Sequence, residues 1–292
     1  MLSFAEVRQQ FDALIKQRRV LCAVHRSIYC GNVMENTYKG FCAGFRAGAD
    51  MIELDTAATT DGDYFLVHDG MEPRLLDNGG NVTQATTAEF AARKYLNTCR
   101  SVVGNPEKFI DVMPKMRGKG LINVDRSWRY WGKGLLQVMD GFGMYPQLLI
   151  KCPAEDQAAL DALEQSGLPF MLMPMVRRPE DLRAVYKRKL NLVAAEILFA
   201  EEDSPLISAE FIKELKDRHI AVWINAITMS NGEAWSNISA GHDDDRAVLE
   251  NADAGWGWLI DRGADIIQTD WPTMLYCYLQ KRFPETRSGL FA

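Results

Sequence analysis

Val20–Gly70 reads VLCAVHRSIYCGNVMENTYKGFCAGFRAGADMIELDTAATTDGDYFLVHDG. It opens with an apolar run, Val20–Val24, that stops at His25-Arg26. A polar loop follows, then apolar residues at helical spacing across 35–48. The next apolar run, Asp50–Asp55, carries the acids Glu53 and Asp55, and the one after it, Tyr64–His68, ends on another histidine. A short β-rich run, a polar loop and a helical stretch, in that order, make a β/α unit.

The same order recurs to the end of the chain. Strands are predicted at Val20–His25, Asp50–Asp55, Tyr64–His68, Gly120–Asp125, Gln147–Lys151, Pro169–Met173, Leu192–Ile197, Ile220–Asn225 and Asp265–Thr269. Helices are predicted at 35–48, 86–96, 132–141, 154–166, 179–188, 208–217 and 273–282. Such alternation builds a parallel sheet covered by helices, an α/β fold. Taking Asp50–Asp55 and Tyr64–His68 as two arms of one irregular unit leaves eight modules, the number that closes a (β/α)8 TIM barrel. No charge block or Pro/Gly-rich linker divides the chain. The expectation is one domain over 1–292, with a small insertion after the second module at about 69–119.

Composition agrees. The 292 residues are 47% hydrophobic and 25% charged, ordinary for a soluble globular chain. The net charge of −6 argues against a nucleic-acid partner, whose binders carry a basic face. An acidic protein still takes an anionic small-molecule substrate when a few cations are concentrated in its pocket. The opening MLSFAEVRQQFDALIKQRRV has no apolar core of a signal peptide. The longest apolar run, 168–176, is broken by Pro169 and Pro174 and falls far short of the ~18 residues of a membrane helix. Six scattered cysteines with no C-x-x-C pair read as reduced thiols. A cytoplasmic protein without membrane insertion is expected.

In a (β/α)8 barrel the active site lies at the C-terminal ends of the strands. Those ends here carry His25, Asp55, His68, Asp125, Lys151, Glu196, Asn225 and Asp270. One polar residue at such a place is as readily a helix cap; an unbroken series points to a site. Glu53 and Asp55, two apart on one strand, point to the same face. Carboxylates this close repel unless a cation or a shared proton intervenes, and oxygen ligands favour a hard ion. Of the four histidines, His25 and His68 are placed at the barrel mouth, where they suit proton transfer near neutral pH. His219 and His242 read as structural or exposed.

The order and spacing of His25-Arg26, Glu35-Asn36-Thr37, Gly48-Ala49-Asp50, Glu53-x-Asp55, Asp61-Gly62 and His68-Asp69 resemble the signature of the glycerophosphodiester phosphodiesterase family. The likeness continues more weakly to Gly263-Ala264-Asp265 and Thr269-Asp270-Trp271-Pro272. It implies a TIM barrel along nearly the whole chain. It further implies a divalent metal, Mg²⁺ or Ca²⁺, on Glu53, Asp55 and a third-strand acid, where Asp125 stands in place of the usual glutamate. His25 and His68 take the family's acid/base positions. Arg26 takes that of its phosphate-contacting arginine, whose forked donors suit a diester oxygen.

The resemblance has a gap. The lysine that follows the third acid in the family is Ser127 here. Lys151, ending the next strand, is the candidate replacement, since neighbouring strands are only ~4.8 Å apart. Glu35 is either a neighbour of the metal or a cap favoured by the helix dipole. Trp223 shares a strand face with Asn225, and Trp128 and Trp131 follow the third strand. Such rim aromatics either pack or shape a pocket for the alcohol of a diester, and Trp223 is the one proposed to bind substrate. Glu196 either meets substrate or pairs with Arg177 or Arg178.

The implied reaction is hydrolysis of a glycerophosphodiester to a phosphomonoester, such as glycerol 3-phosphate, and an alcohol. One histidine takes a proton from the attacking oxygen and the other returns one to the leaving alcohol. The residues leave open which does which, and whether water or a neighbouring glycerol hydroxyl attacks. A different diester, such as a sugar phosphodiester, or a non-catalytic phosphate-ester binder would use the same barrel.

Overall fold

The structure is a computed structural model and describes residues 2–228 and 237–290. Eight parallel strands form its centre: β1 (Leu21–Val24), β2 (Met51–Ala58), β3 (Leu121–Asp125), β4 (Leu148–Pro153), β5 (Met171–Val176), β6 (Ala194–Ile197), β7 (Ala221–Asn225) and β8 (Ile266–Thr269). Each pairs with the next in sequence, and β1 pairs with both β2 and β8, which closes the barrel.

Parallel strands buried on both faces read as almost unbroken apolar runs, so alternation decides what each face does. Leu21, Ala23, Met51, Leu121, Leu149, Met171, Met173, Ala221, Trp223 and Ile266 meet in one buried cluster that fills the barrel. Their neighbours along the strands, such as Cys22, Ile52, Ile122, Ile150, Leu172, Val222 and Ile267, join a separate cluster beneath the helices. Helix α1 (Phe4–Arg18) closes the N-terminal end of the barrel by adding Val7 and Phe11 to the inner cluster. Cutting Leu149 to alanine there costs roughly 2–5 kcal/mol by the cavity it leaves. The inward positions nearer the C-terminal ends are Glu53, Asp55, Asn123, Asp125, Lys151, Glu196, Asn225 and Gln268, so the interior turns from apolar plug to polar site within about two residues.

The covering helices are α2 (Tyr38–Arg46), α3 (Leu135–Gly141), α4 (Gln157–Ser166), α5 (Pro179–Val185), α6 (Ala209–Asp217) and α7 (Pro272–Arg282). Among the described residues no helix is long and apolar enough to cross a membrane.

Two segments differ from the expected helices. The predicted 35–48 helix starts only at Tyr38, because Asn36 adopts a left-handed backbone (φ 52°) and Thr37 caps the helix, its Oγ accepting from Gly40 N at 3.1 Å. The predicted 86–96 helix stops after Thr87–Ala91. Tyr95–Leu96 instead pairs antiparallel with Val102–Gly104 across a turn in which Arg100 has a φ of 61°. The Tyr64–Leu66 arm folds back antiparallel on the end of β2, with Thr56 opposite Leu66, and this return delivers His68 to the barrel mouth.

Candidate active site

The pairing of β2 with β3 sets Asp55 beside Asp125 and Glu53 beside Asn123. Glu53 and Asp55 are each 1% exposed, and one oxygen from each of Glu53, Asp55 and Asp125 lies within 4.8 Å of the others. This all-oxygen donor set fits a hard divalent cation. Glu53 Oε2 accepts from the Arg26 backbone N at 2.8 Å. Asn36 holds Asp55 from two sides: its Nδ2 donates to Asp55 Oδ2 at 3.0 Å, and its Oδ1 accepts from Asp55 N at 3.0 Å.

The two β2 acids are driven apart in proton affinity. Burial and the neighbouring Asp55 and Asp125 push the Glu53 carboxyl well above its ordinary 4.5. Burial also opposes the charge on Asp55, but Arg26, His68 and the Asn36 hydrogen bond outweigh it and hold Asp55 below the usual carboxylate range. Close carboxylates behave this way when nearby positive charge does not suffice for both.

Arg26 is 7% exposed, with its Nε 3.1 Å from Asp55 Oδ2 and an Nη1 3.6 Å from Glu35 Oε1. Burial works against its charge, yet Asp55, Glu35 and Glu53 raise its pKa. Glu35 is buried, and its other oxygen accepts from Arg74 at 2.6 Å.

Each histidine has a defined hydrogen-bond partner. His25 Nδ1 lies 2.9 Å from Asp270 Oδ1, so that nitrogen donates and Nε2 is left for the cavity. His68 Nδ1 lies 2.9 Å from the Asp69 carbonyl, which only accepts, and its Nε2 lies 3.2 Å from the Arg126 guanidinium, which only donates. Together these partners fix a neutral imidazole with its proton on Nδ1. Burial lowers the pKa of His68, aided by Arg26 and Arg126 and opposed by Asp55.

Lys151 points into the barrel. It is 2% exposed, with Nζ 2.9 Å from Asp125 Oδ2 and 3.1 Å from Glu196 Oε2. Glu196 is therefore paired with Lys151, not with Arg177 or Arg178. Trp223 requires a correction. It is fully buried beneath the site, its ring 5.9 Å from Lys151 Nζ, and it does not line the cavity. Its indole donates to Asn225 Oδ1 at 2.6 Å, and Asn225 donates to Glu196 Oε1 at 2.6 Å, so it supports the site from below. Trp131 is also buried, donating to Ser127 Oγ at 3.1 Å, whereas Trp128 reaches the cavity. Ser127 itself is fully buried in the wall, bonded to Val124 O at 3.1 Å.

The structure adds residues that the sequence reading left out. Arg126, between Asp125 and Ser127, lines the cavity and pairs with Asp69 at 2.7 Å, and Arg129 reaches the same carboxylate at 3.1 Å. Asp244, from the loop before β8, is 1% exposed and accepts from Trp256 Nε1 and Thr269 Oγ1 at 2.8 Å each and from Asp270 N at 2.7 Å. It thereby fixes the backbone of the residue that holds His25. The Gly241-His242-Asp243-Asp244-Asp245 run was a visible signal, since a cluster of acids beside few bases needs donors elsewhere. Arg26, Ser27, Asn36 and Arg126 have φ of 50°, 67°, 52° and 57°, a left-handed cluster around the site.

The cavity encloses about 480 Å³. It is lined by the polar His25, Arg26, Asp55, His68, Asp125 and Lys151, among others, and by the apolar Met175, Leu198, Ile227 and Ile238, with Trp128 and Arg177.

Residues 25–126 match the model of the Glycerophosphoryl diester phosphodiesterase family, and residues 170–279 match a second model described as a domain of unknown function. No curated protein matches the chain. Among solved structures, a glycerophosphoryl diester phosphodiesterase from Parabacteroides distasonis superposes with a TM-score of 0.70 at 18% identity, over 93% of this chain and 91% of that one. A Thermotoga maritima glycerophosphodiester phosphodiesterase gives 0.60 at 17% identity, over 89% and 98%. An Oleispira antarctica phosphodiesterase, solved with its product sn-glycerol-3-phosphate, gives 0.64 at 14% identity, over 89% and 96%. These likenesses establish the closed TIM barrel.

Proposed function

We propose that this chain, a barrel similar to the glycerophosphodiester phosphodiesterases, hydrolyses glycerophosphodiesters in a metal-dependent reaction to a phosphomonoester and an alcohol. The observation that carries the reading is the convergence of two hydrogen-bonded histidines, Arg26 and the carboxylates Asp55 and Asp125 on one cavity, with Glu53 completing the acidic cluster just beneath. The N-terminal match and the product-bound relative of the same fold support it.

A divalent cation held by Glu53, Asp55 and Asp125 would supply neutralisation of a non-bridging phosphate oxygen. Arg26, oriented by Asp55 and Glu35, contacts another and stabilises charge as the transition state gains it. His68, neutral with its proton on Nδ1, takes a proton from the attacking oxygen at Nε2. His25, entering the step with both ring nitrogens protonated and Nδ1 donating to Asp270, delivers its Nε2 proton to the leaving alkoxide and is left neutral. Lys151 keeps Asp125 and Glu196 compatible in one buried space.

The test is a panel of glycerophosphodiesters and sugar phosphodiesters assayed with Mg²⁺, with Ca²⁺ and in excess EDTA. Release of glycerol 3-phosphate, abolished by EDTA and restored by metal, is the expected result. Undiminished activity in EDTA, or cleavage of no diester at all, contradicts the reading.

A further inference from the structure

We infer that Arg126 is a phosphate-operated latch on His68: it covers the ring's Nε2 in the resting protein and leaves it for the phosphate of an entering ligand. The inference rests on the proposed phosphodiesterase reading and adds a residue to it.

Arg126 follows Asp125 with a left-handed backbone, φ 57° and ψ −2°. An arginine held there is strained unless the surroundings compensate. The bend turns its side chain into the cavity while Ser127 turns into the wall. The guanidinium Nε donates to Asp69 Oδ1 at 2.7 Å, and Nη1 donates to His68 Nε2 at 3.2 Å. A ring nitrogen that accepts from a guanidinium has no lone pair left for a second proton. The atom needed for proton abstraction is thus blocked until Nη1 leaves.

Two features let it leave. A phosphate oxygen is charged and forms a shorter, stronger bond to a guanidinium than a neutral imidazole does. Asp69 is also shared with Arg129, so its carboxylate keeps a partner when Arg126 shifts. The Arg126 side chain is 13% exposed, enough to meet a ligand from the cavity. The cation that Ser127 does not provide therefore comes from the residue before it, and the base is uncovered only when an anionic phosphoryl group is present.

The experiment uses protein labelled with ¹⁵N at its four histidines, in Mg²⁺ buffer, with inorganic phosphate and glycerol 3-phosphate as probes. His68 is assigned from the His68→Gln spectrum. Saturating probe should move the His68 Nε2 resonance to that of an unbonded acceptor while Nδ1 stays protonated. Arg126→Met should show the unbonded position without probe and should bind each probe about tenfold more weakly, the loss of one charge-assisted bond. Arg126→Gln gives the same comparison if methionine disturbs the fold, and Arg126→Lys should recover part of the affinity. A wild-type His68 signal that ignores saturating probe, or a folded Arg126→Met that binds as tightly as wild type, overturns the latch. No readout depends on turnover, so a protein that cleaves no diester sinks the proposed function alone, and the spectra still decide the latch.

Discussion

Replacing Lys151 by methionine keeps most of its volume and removes one buried charge. The ammonium lies 2.9 Å from Asp125 Oδ2 and 3.1 Å from Glu196 Oε2, at 2% exposure. Burial disfavours its charge, but Asp125, Glu196 and Glu53 outweigh that and push its pKa above 10.5. The variant leaves those acids facing one another without a counter-ion. Breaking one side of a buried pair costs about 3–5 kcal/mol. At roughly 2–4 °C per kcal/mol for a chain of this size, the melting temperature at neutral pH should fall on the order of 10 °C. The pH dependence has a definite sign. In wild type the raised Lys151 pKa places its contribution fully below ~10.4, to be lost only as pH rises through the folded value. In the variant Glu53, already raised by burial and by Asp55 and Asp125, also loses the lysine that lowers it, so the folded state is favoured where Glu53 is protonated and penalised as pH climbs. The deficit should therefore narrow as the assay pH is lowered from ~7 to ~5. Thermal melts of both proteins in EDTA across that range, then with Mg²⁺, are the assay. Added Mg²⁺ should restore part of the variant's loss. A drop under ~2 °C at neutral pH, or a deficit that widens on acidification, would refute the argument.

Other perturbations separate the remaining roles. His25→Ala and His68→Ala should each lower kcat roughly 10²–10⁴-fold on a diester with a poor leaving group. With a p-nitrophenyl ester the His25→Ala defect should largely vanish and that of His68→Ala persist; equal defects on both esters would reverse or dissolve the assignment. Glu53→Gln should abolish metal binding in calorimetry while raising the melting temperature of the metal-free protein at neutral pH, because burial and two neighbouring acids already penalise the charged form. Unchanged metal affinity would place the cation elsewhere. Asp244→Asn must turn an NH₂ toward one of three donors, at about 1–3 kcal/mol. It should reduce kcat with little change in KM, and an unaltered kcat would show that Asp270 is held without it.

The barrel was legible because its signals are local. Apolar runs ending in polar residues mark inward strands, and the pair Glu53 and Asp55 shows its shared face by spacing alone. Contacts made by chain closure were not. Asp270 meets His25 across 245 positions, and no periodicity links Asp244 to either. Trp223 was misplaced by depth: it shares the face of Asn225 but sits one inward layer lower, below the site. Ser127 carries no cation, and Lys151 on the next strand lines the cavity, as its place at a strand end suggested. The left-handed turn at Arg126, invisible in a linear pattern, brings a further cation there. The helix foreseen from 35 was shortened by Asn36, whose side chain is committed to Asp55.

The left-handed backbone at Arg126 has an evolutionary cost. Glycine or asparagine fits that geometry with less strain than arginine. A library of this chain sorted for heat resistance alone should therefore enrich glycine or asparagine at position 126, and sequencing the survivors would show it. Those survivors should fold well and turn over poorly. In a parallel library also screened for what the cavity does, arginine should persist at 126, so this one codon would record which selection each library had passed through.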